Sequence, residues 1–219
     1  VFQANRRFTN GLQFQASYTF GKSTDTNQNS ATFTQNNSPY DILNGSFDSG
    51  SSNFDTRHKF VVSAVWAPTF FKGSTSSFYN YVLNGWSIAP IYAVYAGRAL
   101  GATVSGTSLN NSFGDNRFPL GPRNAFTLPA LKNFDLRLSK RFKFTEKTSI
   151  EFLAEAFNVF NTTHVFSVNN SLYTRGSGVN INNLSVTTSG GRETFGDITG
   201  TDSTLYRERQ IQFAARFQF

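Results

Sequence analysis

The chain has 219 residues, of which only 15% are charged, and it contains neither Cys nor Met. The absence of Cys excludes disulfide scaffolds, cysteine-ligated metal centres and thiol catalysis. The net charge of +7 comes from scattered basic residues rather than from basic runs, so we expect no nucleic-acid partner. No apolar stretch reaches the length of about 18 residues that a transmembrane helix requires. Because the chain starts at Val1 and lacks Met, we expect a processed product or part of a longer protein.

Period-two alternation is the main pattern along the chain. In residues 12–20, every second side chain is apolar and the intervening ones are Gln, Ser or Thr, which is typical of a β-strand with one apolar and one polar side. A helix is an alternative only for 149–160, where two Glu residues lie four apart in an Ala-rich context. The predicted strands are 1–8, 11–20, 58–70, 85–97, 134–142, 149–160 and 210–219.

The connections between these strands alternate in length. Tight turns at Thr9–Asn10 and at 145–148, together with a moderate link at 71–84, alternate with long polar segments over 22–56, 98–132 and 162–205. In an antiparallel up-and-down meander, all the long loops then fall at one end of the sheet.

This segregation is typical of an outer-membrane β-barrel, which has short periplasmic turns and long external loops. The sequence therefore predicts an all-β protein, in which about seven strands form a sector of a transmembrane barrel. A soluble β-sandwich is the alternative. Aromatic residues cluster near the short-turn end, as in an interfacial girdle; they are Phe70, Phe71, Tyr79, Tyr81, Trp86, Phe142, Phe144, Phe217 and Phe219.

Candidate chemistry is sparse. His58 and His164 lie far apart in the sequence, so we predict no metal site and no cofactor. No nucleophile–base set is visible, so we do not expect an enzyme. Glu151 and Glu155 are expected to be either lumen-facing charges or members of a salt-bridge network with Arg137 and Arg141.

Two sets of residues are candidates for contact with a solute. If the polar face lines a lumen, its arginines form a basic wall that would favour an anionic solute. The arginines are Arg137, Arg141, Arg207, Arg209 and Arg216. Pairing of these arginines with carboxylates is the preferred interpretation. Aromatic residues of the long loops either contact a ligand or anchor the loops to one another; they are Tyr40, Phe47, Phe54, Phe113, Phe118, Tyr173 and Phe195. Of these, Tyr40, Phe54, Phe113 and Tyr173 are the predicted ligand contacts.

Four segments resemble the carboxyl-terminal barrel region of TonB-dependent outer-membrane receptors, in particular the Oar-like group that contains a carboxypeptidase regulatory domain. The segments are Asn53-Phe54-Asp55-Thr56-Arg57-His58-Lys59-Phe60, Asn133-Phe134-Asp135-Leu136-Arg137-Leu138-Ser139-Lys140, Glu155-Ala156-Phe157-Asn158-Val159-Phe160-Asn161 and Ala215-Arg216-Phe217-Gln218-Phe219. In the terminal segment, Phe217 and Phe219 resemble the signal read by the barrel-assembly machinery.

The resemblance implies a 22-stranded barrel in the bacterial outer membrane that takes up a scarce solute of the siderophore, glycan or peptide class. Its partners would be outer-membrane lipid, the remaining barrel and plug of the same receptor or further copies of this chain, and TonB through an amino-terminal part. This sequence contains neither a plug nor a TonB box. Two alternatives remain: a structural piece that assembles by strand-edge pairing into a tube or fibre, and a secreted carbohydrate-binding sandwich.

Overall fold

A single antiparallel sheet of seven strands organises the molecule. The computed structural model describes residues 1–26, 43–70, 73, 75–105, 117–118, 121–175, 184–201 and 207–219. Each strand pairs with its neighbours in chain order, which confirms the predicted meander. The strands are β1 (Phe2–Thr9), β2 (Leu12–Phe20), β3 (His58–Trp66), β4 (Trp86–Tyr95), β5 (Leu131–Lys143), β6 (Ser149–Phe157) and β7 (Gln210–Gln218).

The strand boundaries differ from the expected ones at several places. β3 ends at Trp66, and a π-helical turn over Tyr79–Leu83 lies in the connection to β4. β5 begins at Leu131, three residues before the predicted start. The helical alternative for 149–160 is wrong, because this segment is a strand up to Phe157. The strand ends there because Asn158 takes a left-handed conformation, with φ of 49°.

The three long connections all leave the same end of the sheet, which we call the loop end. They contain short strands of their own and a 3₁₀ turn over Gly45–Asp48. Four of the pairings join two segments each: Thr24–Asp25 with Gly50–Ser51, Ala99–Leu100 with Phe126–Thr127, Ser167–Val168 with Ile198–Gly200, and Thr188–Ser189 with Arg192–Glu193. In addition, Ser171–Arg175 pairs with Thr103–Ser105 on one side and with Leu184–Val186 on the other.

The pairing register brings the predicted apolar sides of β2 to β7 onto one surface, which we call the apolar face, and β1 adds Phe2, Ala4 and Arg6 to it. One row of this face runs from Phe14 through Ala64 and continues to Leu136, Ala156 and Ile211 on the later strands. The opposite surface, the polar face, carries the alternating Gln, Ser, Thr and charged residues.

The apolar face has no covering layer within the described part of the chain. The buried apolar residues there are Ala93, Ala102 and Val104, and none of them belongs to the apolar face. A β-sandwich would seal this face against a second sheet, as its inner core requires. Large apolar side chains of the face remain exposed instead, among them Phe152, Phe213 and Phe217.

The two edges of the sheet are open in the described structure. β1 pairs with β2 and β7 pairs with β6, and every residue of both edge strands is exposed. Among the described residues, no helix is long and apolar enough to cross a bilayer. An unpaired strand edge is a template for pairing with another strand.

Aromatic rings mark both ends of the apolar face, whereas the sequence predicted them at the short-turn end. At that end, Phe142 and Phe144 lie beside the turn after β5, and Phe71 is outside the described residues. At the loop end, ring centroids lie 5.2–6.3 Å apart in the pairs Phe2–Tyr18, Phe20–His58, Tyr92–Phe134 and Phe134–Phe160. Aromatic rings at both ends of the apolar face match the two interfaces of a membrane.

By register, three described cations lie on the apolar face: Arg6 opposite Phe14, Lys132 opposite Val94 and Lys140 opposite Trp86. The alkyl chain of Lys140 allows its charge to extend toward an interface. Its ammonium group donates hydrogen bonds to the carbonyl oxygens of Val82, at 3.0 Å, and Asn84, both in the connection at the short-turn end. The same nitrogen lies 4.9 Å from the ring centre of Trp86. The side chain therefore carries its charge away from the centre of the apolar face.

We expect an added charge to lower the free energy of unfolding more on the apolar face than on the polar face. We expect Ala64→Arg, on the apolar face, to lower the free energy of unfolding by about 2–4 kcal/mol, because the guanidinium would enter hydrocarbon. The adjacent Ser63→Arg, on the polar face, is the matched control and should cost less than about 1 kcal/mol. Urea unfolding of the protein in lipid vesicles measures both, and equal losses would contradict the orientation of the faces.

Candidate functional site: the polar face and the packed long loops

The polar face carries a cross-strand ladder of charges. Register places Arg137 opposite Glu155 and Arg141 opposite Glu151. The first two residues form an ion pair, and the Nη2 atom of Arg141 lies 3.1 Å from the Oε2 atom of Glu151. The salt-bridge network, one of the two alternatives that the sequence left open for these glutamates, is thus present. Arg216 lies opposite Glu151 on the next strand.

Because these ion pairs are solvent-exposed, each contributes little to stability. Their main consequence is electrostatic, since the carboxylates neutralise the two arginines at the middle of the wall. The role of Arg137, Arg141 and Arg216 toward a solute stays a prediction.

Asn158 ties three segments together at the end of β6. Its side chain is 3% exposed and donates hydrogen bonds to the carbonyl oxygens of Thr162 and Arg207, both at 2.9 Å. Its side-chain oxygen accepts from the amide of Thr162, and its own amide donates to the Oδ1 atom of Asp135 at 2.8 Å. Asn158 therefore fixes the ends of β5 and β6 and the approach to β7.

Asp55 forms a similar lock between β2 and β3. Its Oδ1 atom accepts a hydrogen bond from the amide of Ser23 at 2.9 Å, and its Oδ2 atom lies 3.4 Å from Arg57. Asp55 is 8% exposed. Two of the segments that carry the family resemblance thus contain side chains that close strand ends, a function that the sequence pattern alone did not reveal.

Buried ion pairs join the first and second long loops. Arg117 lies 3.2 Å from Asp48, and Arg123 lies 2.6 Å from Asp25 while also donating to the carbonyl oxygen of Asp48 at 3.1 Å. The side chains of Arg117 and Asp48 are almost completely buried. Sequence analysis missed these pairs, because the partners are about 70 to 100 residues apart and no local spacing marks them.

Aromatic and hydroxyl contacts join the second and third loops. Phe118 stacks on Tyr173 with centroids 5.2 Å apart, and Phe126 meets Phe195 edge to face at 5.0 Å. The hydroxyl of Thr174 bridges Ser105 and Thr187 at 2.9 and 3.0 Å. The three loops are therefore one connected assembly above the loop end.

The structure separates the predicted ligand-contact residues into groups. Tyr173, Phe118 and Phe195 pack against other rings, in agreement with the anchoring alternative, whereas Phe54 is 76% exposed. Tyr40 and Phe113 lie outside the described residues, as does the side chain of Phe47. Ligand contact by Tyr40, Phe54, Phe113 and Tyr173 stays a prediction.

The two histidines have separate protein partners. The Nδ1 atom of His58 lies 2.8 Å from the hydroxyl of Tyr18, and the Nε2 atom of His164 lies 2.9 Å from the carbonyl oxygen of Lys132. In the ranges that the structure describes, no three His, Asp or Glu residues gather into a possible metal site.

Comparison with protein families identifies the class. The family model described as an outer membrane beta barrel domain matches residues 1–120 and, in a second match, residues 110–212. No curated protein and no solved structure matches the chain significantly. The chain belongs to the outer-membrane β-barrel domain family. It forms barrel wall in the bacterial outer membrane, so its apolar face contacts lipid and its polar face lines the interior.

Asn158 offers a test of the strand-end lock. We expect Asn158→Ala to lower the free energy of unfolding by about 3 kcal/mol, because it leaves buried polar groups unpaired and strains a left-handed residue. Asn158→Gly removes the same hydrogen bonds without the strain and should lower it by about 2 kcal/mol. Urea unfolding in vesicles measures both variants. A loss below about 0.5 kcal/mol for Asn158→Ala would show that the lock is dispensable.

Proposed function

We propose that this chain forms part of the barrel wall and the external loops of a TonB-dependent receptor that takes up a scarce solute of the siderophore, glycan or peptide class. The Oar-like group is the branch that its segments resemble. Membership of the outer-membrane β-barrel domain family supports the barrel wall, and TonB-dependent uptake is what we propose in addition.

The observation that carries this proposal is the position of the resembling segments. Three of the four contain Asp55, Asp135 or Asn158, whose side chains hold the strand ends directly beneath the long loops. In these three segments the resemblance therefore includes residues that shape the loop-bearing end of a barrel, and not only the alternating apolar residues that any membrane strand shares.

The packed loops and the open edges support the same proposal. Loops that bind one another through buried ion pairs form a defined surface over the barrel mouth, as a receptor for a specific solute needs. Unpaired edges cannot face lipid, so the remaining strands come from the rest of the receptor or from further copies of the chain. A plug and TonB would be the further partners.

TonB dependence is the direct test. We expect cells that make the complete receptor to accumulate a labelled ferric siderophore, oligosaccharide or peptide from a test panel, and deletion of tonB to abolish that accumulation. Heat-modifiable gel migration of the outer-membrane receptor, unchanged by the deletion, is the control for assembly. Uptake that persists without TonB would refute the proposal.

A charge swap tests whether the mid-wall arginines serve the solute. Exchanging both pairs, as Arg137→Glu with Glu155→Arg and Arg141→Glu with Glu151→Arg, keeps the salt bridges and the net charge. If the arginines only pair with carboxylates, the swapped receptor should assemble and take up solute as the parent does. The unpaired variant Arg137→Glu with Arg141→Glu should reduce the heat-modifiable fraction, because like charges then face each other. Uptake lost in the swapped receptor at normal assembly would instead assign the arginines to the solute.

A tube or fibre built by strand-edge pairing is the second candidate function. The fully exposed edges of β1 and β7 favour it, since each presents an unpaired backbone to another copy. Negative-stain images of the purified material distinguish the two, because a receptor gives single barrels and the alternative gives extended assemblies.

The receptor proposal includes a role for Phe217 and Phe219 as the signal for barrel assembly. Their rings stack with centroids 5.8 Å apart at the end of β7.

A further inference from the structure

A cavity of about 230 Å³ lies where the polar face meets the long loops. Lys59 of β3 and Tyr95 of β4 are register partners, and Leu131 of β5 is the next residue in that row, so the floor of the cavity is the top of the barrel wall. Arg98 and Leu128 of the second loop and Val165 of the third loop form the sides.

The chain that carries Arg98 is held tightly at the rim. The amide of Ala96 donates to the carbonyl oxygen of His58 at 2.8 Å, and the amide of Leu128 donates to that of Arg98 at 2.9 Å. At Gly97 a β-carbon would lie 1.6 Å from the carbonyl oxygen of Leu128, so no side chain fits there. The backbone at Arg98 is consequently fixed relative to Lys59 and Tyr95.

The charges around this cavity are unbalanced, in contrast to those of the rest of the site. Arg117, Arg123, Arg137 and Arg141 each have a carboxylate partner. Lys59 and Arg98 have no ion pair within the described ranges, and no carboxylate is among the described residues that line the cavity. Both residues are exposed and line the same cavity, and two cations without a counter-ion favour an anion from solution.

The remaining lining residues define the rest of the ligand. Tyr95 offers an aromatic ring, Leu128 and Val165 offer apolar surface, and Thr56 offers a hydroxyl. At about 30 Å³ for each water, the cavity has room for about eight waters, which is the size of a single-ring compound. An apolar body with one negatively charged group matches this lining.

We propose that this cavity binds a small organic carboxylate, with the carboxylate between Lys59 and Arg98 and the apolar part against Tyr95 and Leu128. This inference rests on the proposed function, because it gives the chemical class of the solute, or of a terminal group of the solute, that the loops pass to the barrel interior. The proposal places the attraction for an anion at the loop end of the wall, and not at Arg137 and Arg141, which pair with carboxylates.

The experiment compares benzoate with its neutral isostere benzamide. Binding to the complete detergent-solubilised receptor is followed by saturation-transfer NMR and quantified by competition. We expect benzoate to bind at least about tenfold more tightly than benzamide, and Lys59→Gln and Arg98→Gln each to weaken benzoate binding about tenfold, because each removes one charge-assisted hydrogen bond.

Lys22→Gln is the matched control, since it removes an equal charge from an exposed residue at the same end of the sheet and outside the cavity. It should leave benzoate binding unchanged. Equal binding of benzamide, an equal effect of Lys22→Gln, or no benzoate binding at millimolar concentration would each overturn the proposal. The assay needs no TonB, so its failure is distinguishable from loss of TonB-dependent uptake.

Discussion

The structure depends on one constraint, the pairing of backbone N–H and C=O groups where no water can satisfy them. Within hydrocarbon an unpaired peptide group is costly, and a β-chain can meet the requirement only by pairing every strand with neighbours on both sides. The seven-strand ladder does this for β2 to β6. The same ladder forces successive side chains to opposite faces, so one continuous hydrogen-bonding pattern produces both the lipid-facing and the interior-facing surface.

The constraint ends where the strands leave the membrane, and the molecule changes its means of stabilisation there. Past Phe157 and before His58 the regular strands end, and the side chains of Asn158 and Asp55 accept hydrogen bonds from the backbone amides of Thr162 and Ser23. Beyond these locks, the loops rely on buried ion pairs such as that between Arg117 and Asp48. Such pairs need good geometry to offset the cost of removing both charges from water, and they position the loops specifically.

The distribution of charge also differs between the membrane-spanning strands and the loop end. Along the interior wall, Arg137 and Arg141 face Glu155 and Glu151 and are neutralised by them, while Arg216 adds a third positive charge opposite Glu151. At the loop end, Lys59 and Arg98 lie beside a cavity without such partners. In the receptor that we propose, a solute entering from the loops would meet these two cations before it meets the ion pairs of the wall, an order suited to capture before passage.

The sequence by itself determined the local features, namely seven alternating strands and their order, and it offered the salt bridges of the wall as one of two alternatives. Each follows from period-two spacing or from neighbours across one short turn, as for Arg141 and Glu151. The locks of Asn158 and Asp55, the loop contacts of Arg117 and Tyr173, and the cavity beside Arg98 were decided only by the tertiary structure. Their partners lie far away along the chain, and no periodicity in a polar loop shows which distant residue will meet it.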